Sequence, residues 1–229
     1  NFDTGNIYYY NQGRDAVTLC FFGDGAVYQG AVHEACNLAA LWKAPIIYVI
    51  ENNHYAVATS QTAGCSAPNL CQVATAYGMP GFRVDGMDPV GVKTAVRHIL
   101  ANRDNLPCVL EIDTYRHYHH AGRVPGSAYG YRSKEEEAGW RERDPLAQFE
   151  ARLRDRRIGV DQIGQLRRQA QACVERAAGE LLETNAAGVS SIREALWPTA
   201  ESAASGLRDE RAGETGPFTE AEAADCTRE

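Results

Sequence analysis

The chain has 229 residues, 44% hydrophobic and 23% charged, the balance of a globular protein able to bury a sizeable core. No apolar run approaches the ~20 residues that span a bilayer, which excludes a transmembrane helix, and no membrane partner is expected. Of the net charge of −7, residues 201–229 supply −5 from three basic and eight acidic groups; a chain this short of positive charge has no electrostatic support for non-specific nucleic-acid binding.

Ala16 to Phe22 is a short run of strand formers that ends at the turn signal Gly23-Asp24-Gly25. From Tyr28 to Lys43 apolar residues fall at helical spacing: Val32, Ala35, Cys36, Ala39, Ala40 and Trp42. A second apolar run, Pro45 to Ile50, breaks at Glu51-Asn52-Asn53. Asn69 to Tyr77 reads as a helix, Phe82 to Val84 as a strand, Pro89 to Ala101 as a helix and Pro107 to Thr114 as the last strand. Strands that are almost wholly apolar, separated by helices, predict an α/β fold: a doubly wound, mostly parallel sheet covered on both faces, followed by C-terminal helices. Four strands are few for such a sheet, so a portion upstream of residue 1 is expected.

Tyr115 to Arg132 is a loop with three histidines, long enough to be functional or mobile. Ser133 and Glu136 have capping-box spacing, and Asp144-Pro145 offers a cap and a helix-compatible proline. Leu146, Phe149 and Leu153 mark one helix face; Ile163, Leu166, Ala170, Val174, Ala177 and Leu181 mark a longer one. The expected organisation is an α/β domain over residues 1–145, a helical extension over 146–198 and an acidic, disordered tail over 199–229. The start carries no basic patch followed by an apolar stretch, so no signal peptide is expected, and without an initiator methionine the chain reads as a processed product or a fragment. The seven cysteines are odd in number and never spaced C-x-x-C; Cys20, Cys36 and Cys108 lie in apolar patterns, as reduced thiols of an intracellular protein would.

The two strand ends carry the chemistry. In a right-handed β-α-β unit the Gly23-Asp24-Gly25-Ala26 turn and the Glu51-Asn52-Asn53-His54-Tyr55 turn open side by side at the carboxyl edge of one sheet, where open α/β sheets bind ligands. Glycines around Asp24 let backbone amides approach a phosphate, and an aspartate near amide and carbonyl oxygens suits Mg²⁺, which takes oxygen ligands and shares them with phosphates. Either turn alone is an ordinary turn former. Together they read as Mg²⁺ bridging a diphosphate.

The run Gly23 to Ser60, GDGAVYQGAVHEACNLAALWKAPIIYVIENNHYAVATS, closely resembles the thiamine diphosphate motif of alpha subunits of 2-oxo acid dehydrogenases, with the pyruvate and acetoin enzymes nearest. The likeness continues through Tyr77 to Asp88, Thr114-Tyr-Arg, and Tyr131-Arg to Leu146, covers about residues 16 to 185, and fades in the tail. It implies the thiamine diphosphate-binding fold. Asp24 and Asn53 match the family's side-chain Mg²⁺ ligands, and Tyr55 matches the residue that gives a backbone carbonyl. Gly25 and Ala26, after Gly23, match the positions whose backbone holds the diphosphate. Asn52 looks like a support for the turn.

Three histidines in four residues, His117, His119 and His120, could form part of a metal cluster or simply be solvated loop residues. The resemblance offers another reading: Thr114 to His120 is similar to the family's Tyr-Arg-x-x-Gly-His, so His120 takes the role of the histidine that reaches the cofactor and the reacting centre. A neutral imidazole there can shuttle a proton or hydrogen-bond the diphosphate and the intermediate, which makes His120 both a catalytic and a cofactor-binding candidate. His119 stands where the family usually has glycine, which could alter the backbone of the loop. His33 and Glu34 read as packing and helix-surface residues, and the Arg152, Arg154, Arg156, Arg157 helix as a solvated or interface face. Glu51 is not the glutamate that activates thiamine, which the family carries on its beta subunit. Ala121 follows His120 where animal relatives carry a regulatory serine.

The resemblance implies decarboxylation of a 2-oxo acid, most readily pyruvate, and transfer of the acyl group to lipoyl-lysine of a partner acyltransferase, in an enzyme shared with a beta subunit. Acetoin cleavage is the alternative within that chemistry. A non-catalytic piece that keeps the Mg²⁺-diphosphate turns is the alternative outside it. A bacterial cytoplasm is the expected compartment, a mitochondrial matrix the other.

Overall fold

A computed structural model describes residues 16–193 and Leu196; the expected tail over 199–229 lies outside the described residues. The chain divides after Ala151 into two compact units.

The first unit is built on a parallel four-stranded sheet in the order β1-β2-β6-β5, with β1 at Thr18–Gly23, β2 at Ile46–Asn52, β5 at Gly81–Asp85 and β6 at Cys108–Asp113. Strand β2 is central, and each of Ile46, Ile47, Tyr48, Val49 and Ile50 is at most 3% exposed. A strand covered on both faces needs this continuous apolar run, and each such side chain contributes about 1.5–3 kcal/mol by burial. The strand's pleat splits the core in two. Ile46, Tyr48 and Ile50 pack with Val32, Cys36 and Ala39 of α1 (Gly30–Trp42). Ile47 and Val49 pack with Ile99 of α3 (Pro89–Ala101) on the opposite face.

Handedness explains that division. The chain passes from β1 to β2 in one direction across the sheet and from β5 back to β6 in the other, so right-handed crossovers place α1 and α3 on opposite faces. Helix α1 closes with Lys43 in the left-handed region (φ 50°) and the reach-back bond from Ala44 N to Ala39 O, 2.9 Å. Helix α3 opens with Asp88, whose Oδ1 accepts from Val90 N at 3.1 Å, and with Pro89 in its first turn.

Between β2 and β5 lie a two-residue hairpin, β3 (Tyr55–Ala56) and β4 (Thr59–Ser60), a single turn α2 (Gln61–Gly64), and the stretch Leu70–Tyr77. That last stretch, expected as a helix over Asn69 to Tyr77, is wound as a 3₁₀ helix. Eight residues is long for such a run, since 3₁₀ helices seldom exceed about three or four. It buries Leu70, Cys71 and Ala74 against the α1 face and ends on Gly78 at φ 65°. After β6 come α4 (Lys134–Glu142) and α5 (Pro145–Asp155). Ser133 caps α4 as its spacing predicts, its Oγ accepting from Glu136 N at 3.0 Å, but the Glu136 side chain turns to two tyrosine hydroxyls instead of closing the box.

The second unit holds α6 (Val160–Leu181) and a hairpin of β7 (Leu182–Thr184) and β8 (Ser190–Ile192). That hairpin corrects the reading of Pro107–Thr114 as the last strand: its strands are three exposed residues each, too short to leave an alternating pattern. Of the marked α6 face, Ile163 is buried while Leu166, Val174 and Leu181 are exposed. Among the described residues no helix is long and apolar enough to cross a membrane. Six described cysteines, including Cys20, Cys36 and Cys108, are in no disulfide; burial pushes the Cys36 thiol up to about 11 and Cys108 to about 12, so these two are inert core residues.

Candidate functional site

The carboxyl ends of β1 and β2 are adjacent, with Gly23 in register with Glu51, so the two turns open side by side as their spacing predicts. Asp24 begins a 3₁₀ turn, Asp24–Ala26, directly off β1. It is 2% exposed, and its Oδ2 is buried with no hydrogen-bond partner. Burial raises its carboxyl above the ordinary aspartate value, opposed by backbone hydrogen bonds and by the positive ends of His54 and Arg116. An orphaned, desolvated carboxylate oxygen is costly unless a cation meets it. A Cβ on Gly25 would collide with Ala56 Cβ, so the glycine is required by the close approach of β3 to this turn. At Gly23 a Cβ would meet nothing within 4 Å, so packing does not demand a glycine there.

The second turn is two successive Asx turns. Asn52 Oδ1 accepts from His54 N at 3.1 Å, and Asn53 Oδ1 accepts from Tyr55 N at 3.2 Å. These bonds hold His54 at φ 70°, and the Gln61 amide closes the turn by donating to His54 O at 2.9 Å. Asn53 Oδ1 keeps a second lone pair for another partner. Tyr55 sends its ring away from the turn, its hydroxyl donating to Glu136 Oε2 at 2.9 Å, which leaves only its backbone at the strand end. One carboxylate, one amide oxygen and one carbonyl are hard oxygen donors of the kind Mg²⁺ takes, with its remaining positions left to phosphate and water. Among the described residues no group of three His, Cys, Asp or Glu side chains could hold a metal ion, which removes the histidine-cluster reading and is compatible with this mixed donor set.

The loop after β6 is ordered by arginines that sequence reasoning passed over. The Arg132 guanidinium is fully buried; its Nε donates to Glu137 Oε1 at 2.8 Å, its Nη1 to Arg116 O at 2.7 Å and its Nη2 to His117 O at 3.0 Å. Ser127 holds the same carboxylate through its backbone N and its Oγ, at 2.9 and 2.8 Å. Burial would raise Glu137, but the Ser127 bonds and the Arg132 charge outweigh it and hold its carboxyl below the usual range. Arg116 then ties the loop to the β3–β4 hairpin: Nη2 donates to Val57 O at 2.7 Å and Nε to Tyr118 O at 3.0 Å. Val57 sits at φ 57°, a strained position for a β-branched residue.

The three histidines take different places. His117 is half-buried with an unpartnered Nδ1, and burial lowers its imidazole below the ordinary value. His119 stacks on Tyr129 with ring centroids 4.3 Å apart, and its φ is not positive, so replacing the usual glycine has not required a left-handed backbone. His120 is exposed, with Nδ1 3.4 Å from Arg116 Nη1. Arginine can only donate, so this contact needs an unprotonated Nδ1 and leaves the ring proton on Nε2. Of the remaining sequence candidates, His33 is exposed on α1 and its Nδ1 lies 3.0 Å from the Tyr77 hydroxyl.

Beneath the turns lies Glu111 of β6, 0% exposed, which the sequence reading of that strand did not single out. Beside it Asp113 lies 2.8 Å from His54 Nε2, close but not aligned for a hydrogen bond, and 2.8 Å from Arg83 Nη2. Burial alone would raise Asp113; His54 and Arg83 overcome it and hold the carboxyl below its ordinary value.

Residues 9–185 match the family described as dehydrogenase E1 component. The chain belongs to this family. It is 40% identical over 173 residues to a pyruvate dehydrogenase E1 component subunit alpha of Rhizobium meliloti (strain 1021), covering 73% of this chain and 48% of that protein. Against the Staphylococcus aureus (strain Mu50) protein of the same name it is 35% identical over 194 residues, 81% of this chain and 51% of the relative. A Rickettsia felis protein of that name is 38% identical over 153 residues, 65% and 45% of the two chains. This E1-family chain thus spans about half the length of the curated relatives it matches.

Proposed function

We propose that this E1-family chain is the alpha part of a thiamine diphosphate-dependent dehydrogenase acting on a 2-oxo acid, with pyruvate the substrate because the relatives named above are pyruvate dehydrogenase subunits. The observation that carries it is the orphaned, buried Asp24 Oδ2 at the sheet edge beside the Asn53–Tyr55 turn. Asp24, Asn53 and the Tyr55 carbonyl would hold Mg²⁺, and the Gly25 and Ala26 backbone would hold the diphosphate. Thiamine diphosphate, when bound, supplies the carbon nucleophile and the electron sink for decarboxylation. His120, with its proton on Nε2 and Arg116 behind Nδ1, holds or donates a proton at the reacting centre. The acyl group passes to lipoyl-lysine of a partner acyltransferase, and a beta subunit completes the site, in a cytoplasmic complex.

Asp24→Ala in the complete alpha chain assembled with its partner subunit tests this reading, since the metal loses its charged oxygen ligand. Calorimetry should show Mg²⁺-dependent thiamine diphosphate binding abolished; unchanged affinity would remove the proposal.

A further inference from the structure

The buried carboxylate beneath the second turn has a geometry that reaches the candidate metal ligands. Glu111 Oε1 accepts from Asn52 Nδ2 at 2.8 Å, and Oε2 accepts from Cys71 N at 3.0 Å. Arg83 Nε lies 3.4 Å from Oε1 and compensates the charge. Asn52 is itself 1% exposed. Its Nδ2 also donates to Gln61 Oε1 at 2.8 Å, and its Oδ1 accepts from His54 N at 3.1 Å.

Amide oxygen and nitrogen are nearly the same shape, so only the partners decide which way Asn52 points. An ionised carboxylate can only accept. With Glu111 below, Nδ2 must face down, and Oδ1 is left facing the His54 amide. That bond makes the first Asx turn and fixes the backbone leaving the strand, one residue before Asn53 and three before Tyr55. Turned over, Asn52 would set its oxygen against the Glu111 carboxylate and an N–H against the His54 N–H, two repulsions that burial of both residues strengthens. Glu111 thus determines the amide orientation, the amide determines the turn, and the turn determines where Asn53 Oδ1 and the Tyr55 carbonyl point.

We propose that Glu111 is a positioning residue for the metal–diphosphate site, acting through Asn52 on the Asn53–Tyr55 turn. It touches neither metal nor cofactor, and both its oxygens are committed beneath the turn. The proposal rests on the reading of Asp24, Asn53 and Tyr55 as metal ligands. Groups that orient metal ligands from behind are typically worth about 10–100-fold in metal affinity.

The test uses the complete alpha chain assembled with its partner, titrated with Mg²⁺ at saturating thiamine diphosphate, with turnover followed across the same titration. Glu111→Gln brings an N–H₂ group that competes for the Asn52 oxygen. It should raise half-saturating Mg²⁺ by about 10–100-fold, while turnover at saturating Mg²⁺ stays near wild type. Asn52→Ala should show a similar loss, and the double variant should be no worse than the weaker-binding single one, because the two residues act in series. Mg²⁺ affinity within twofold of wild type in folded Glu111→Gln overturns the proposal, as does a double variant whose losses multiply. Should Glu111→Gln not fold, Asn52→Ala decides: unchanged Mg²⁺ affinity overturns the route through the amide, and the expected loss supports it. Asp24→Ala run alongside separates the two levels. Retained binding in that variant removes the site itself, whereas lost binding there with unchanged binding in Glu111→Gln removes only the positioning role.

Discussion

At Asp24 one physical fact has two consequences. The burial that raises its carboxyl makes the charged form expensive in the cofactor-free protein and makes a bound cation correspondingly favourable. Metal binding requires the ionised form, so affinity falls as pH drops through this raised value, at a higher pH than for an exposed aspartate. His120 is the other residue-scale claim. It is exposed and, among the described residues, its ring contacts Arg116 at 3.4 Å, so truncating it strands no buried partner and should lower cofactor affinity less than turnover. His120→Ala should lower turnover of the assembled enzyme by about 10²–10⁴-fold, the usual worth of one positioned proton-transfer group. Steady-state kinetics with pyruvate check this; turnover within about twofold of wild type would hand the role to another group. His119 and His117 are poor substitutes, one stacked on Tyr129 and the other turned inward.

At the scale of elements, the loop after β6 owes its order to the Arg132–Glu137 pair. Arg132→Ala would leave a buried carboxylate with only Ser127 to answer it, and breaking such a pair typically costs about 3–5 kcal/mol. Urea unfolding of the protein at pH 7 should show that loss, and a cost below about 1 kcal/mol would reduce the pair to a surface bridge. The sign with pH follows from the depressed Glu137 value. A carboxyl held below its unfolded value contributes stability above that unfolded value and loses it as pH falls through the folded one. The difference between the two proteins should therefore persist at pH 5 and shrink only below the ordinary glutamate range. The pairing was not legible in the sequence, because Arg132 ends the loop before the Ser133 cap and Glu137 lies in the helix after it, with no local pattern that marks them as partners. What was legible has a common cause: β2, α1 and α3 show strong apolar periods, and the Asp24 and Asn53 turns lie where those periods break. Glu111 was not singled out, because its partners come from β2, β5 and the Leu70–Tyr77 segment, which no local pattern connects.

The whole molecule presents apolar side chains that its own described residues leave uncovered. Among the described residues strand β1 pairs only with β2 in the sheet, and it carries Leu19 at 46% and Phe21 at 58% exposure. Helix α1 adds Leu41 at 71% and Trp42 at 49%. A strand that is apolar on both faces is the pattern of a covered strand, and an exposed edge with large apolar groups favours association. On the reading proposed above, the group that activates the thiamine ring comes from a beta subunit, so the cofactor lies between chains. The 229-residue chain alone should therefore bind thiamine diphosphate weakly, release no carbon dioxide from pyruvate and self-associate. Light scattering checks the association, and carbon dioxide release with Mg²⁺ and thiamine diphosphate checks the chemistry. Supplying a beta subunit to a full-length alpha chain should restore turnover, as an assembly of two alpha and two beta subunits. Clear decarboxylation by the purified chain without a partner would defeat the two-chain reading, because Asp24, Asn53, Tyr55 and His120 would then have to suffice for chemistry that binding and proton transfer alone do not supply.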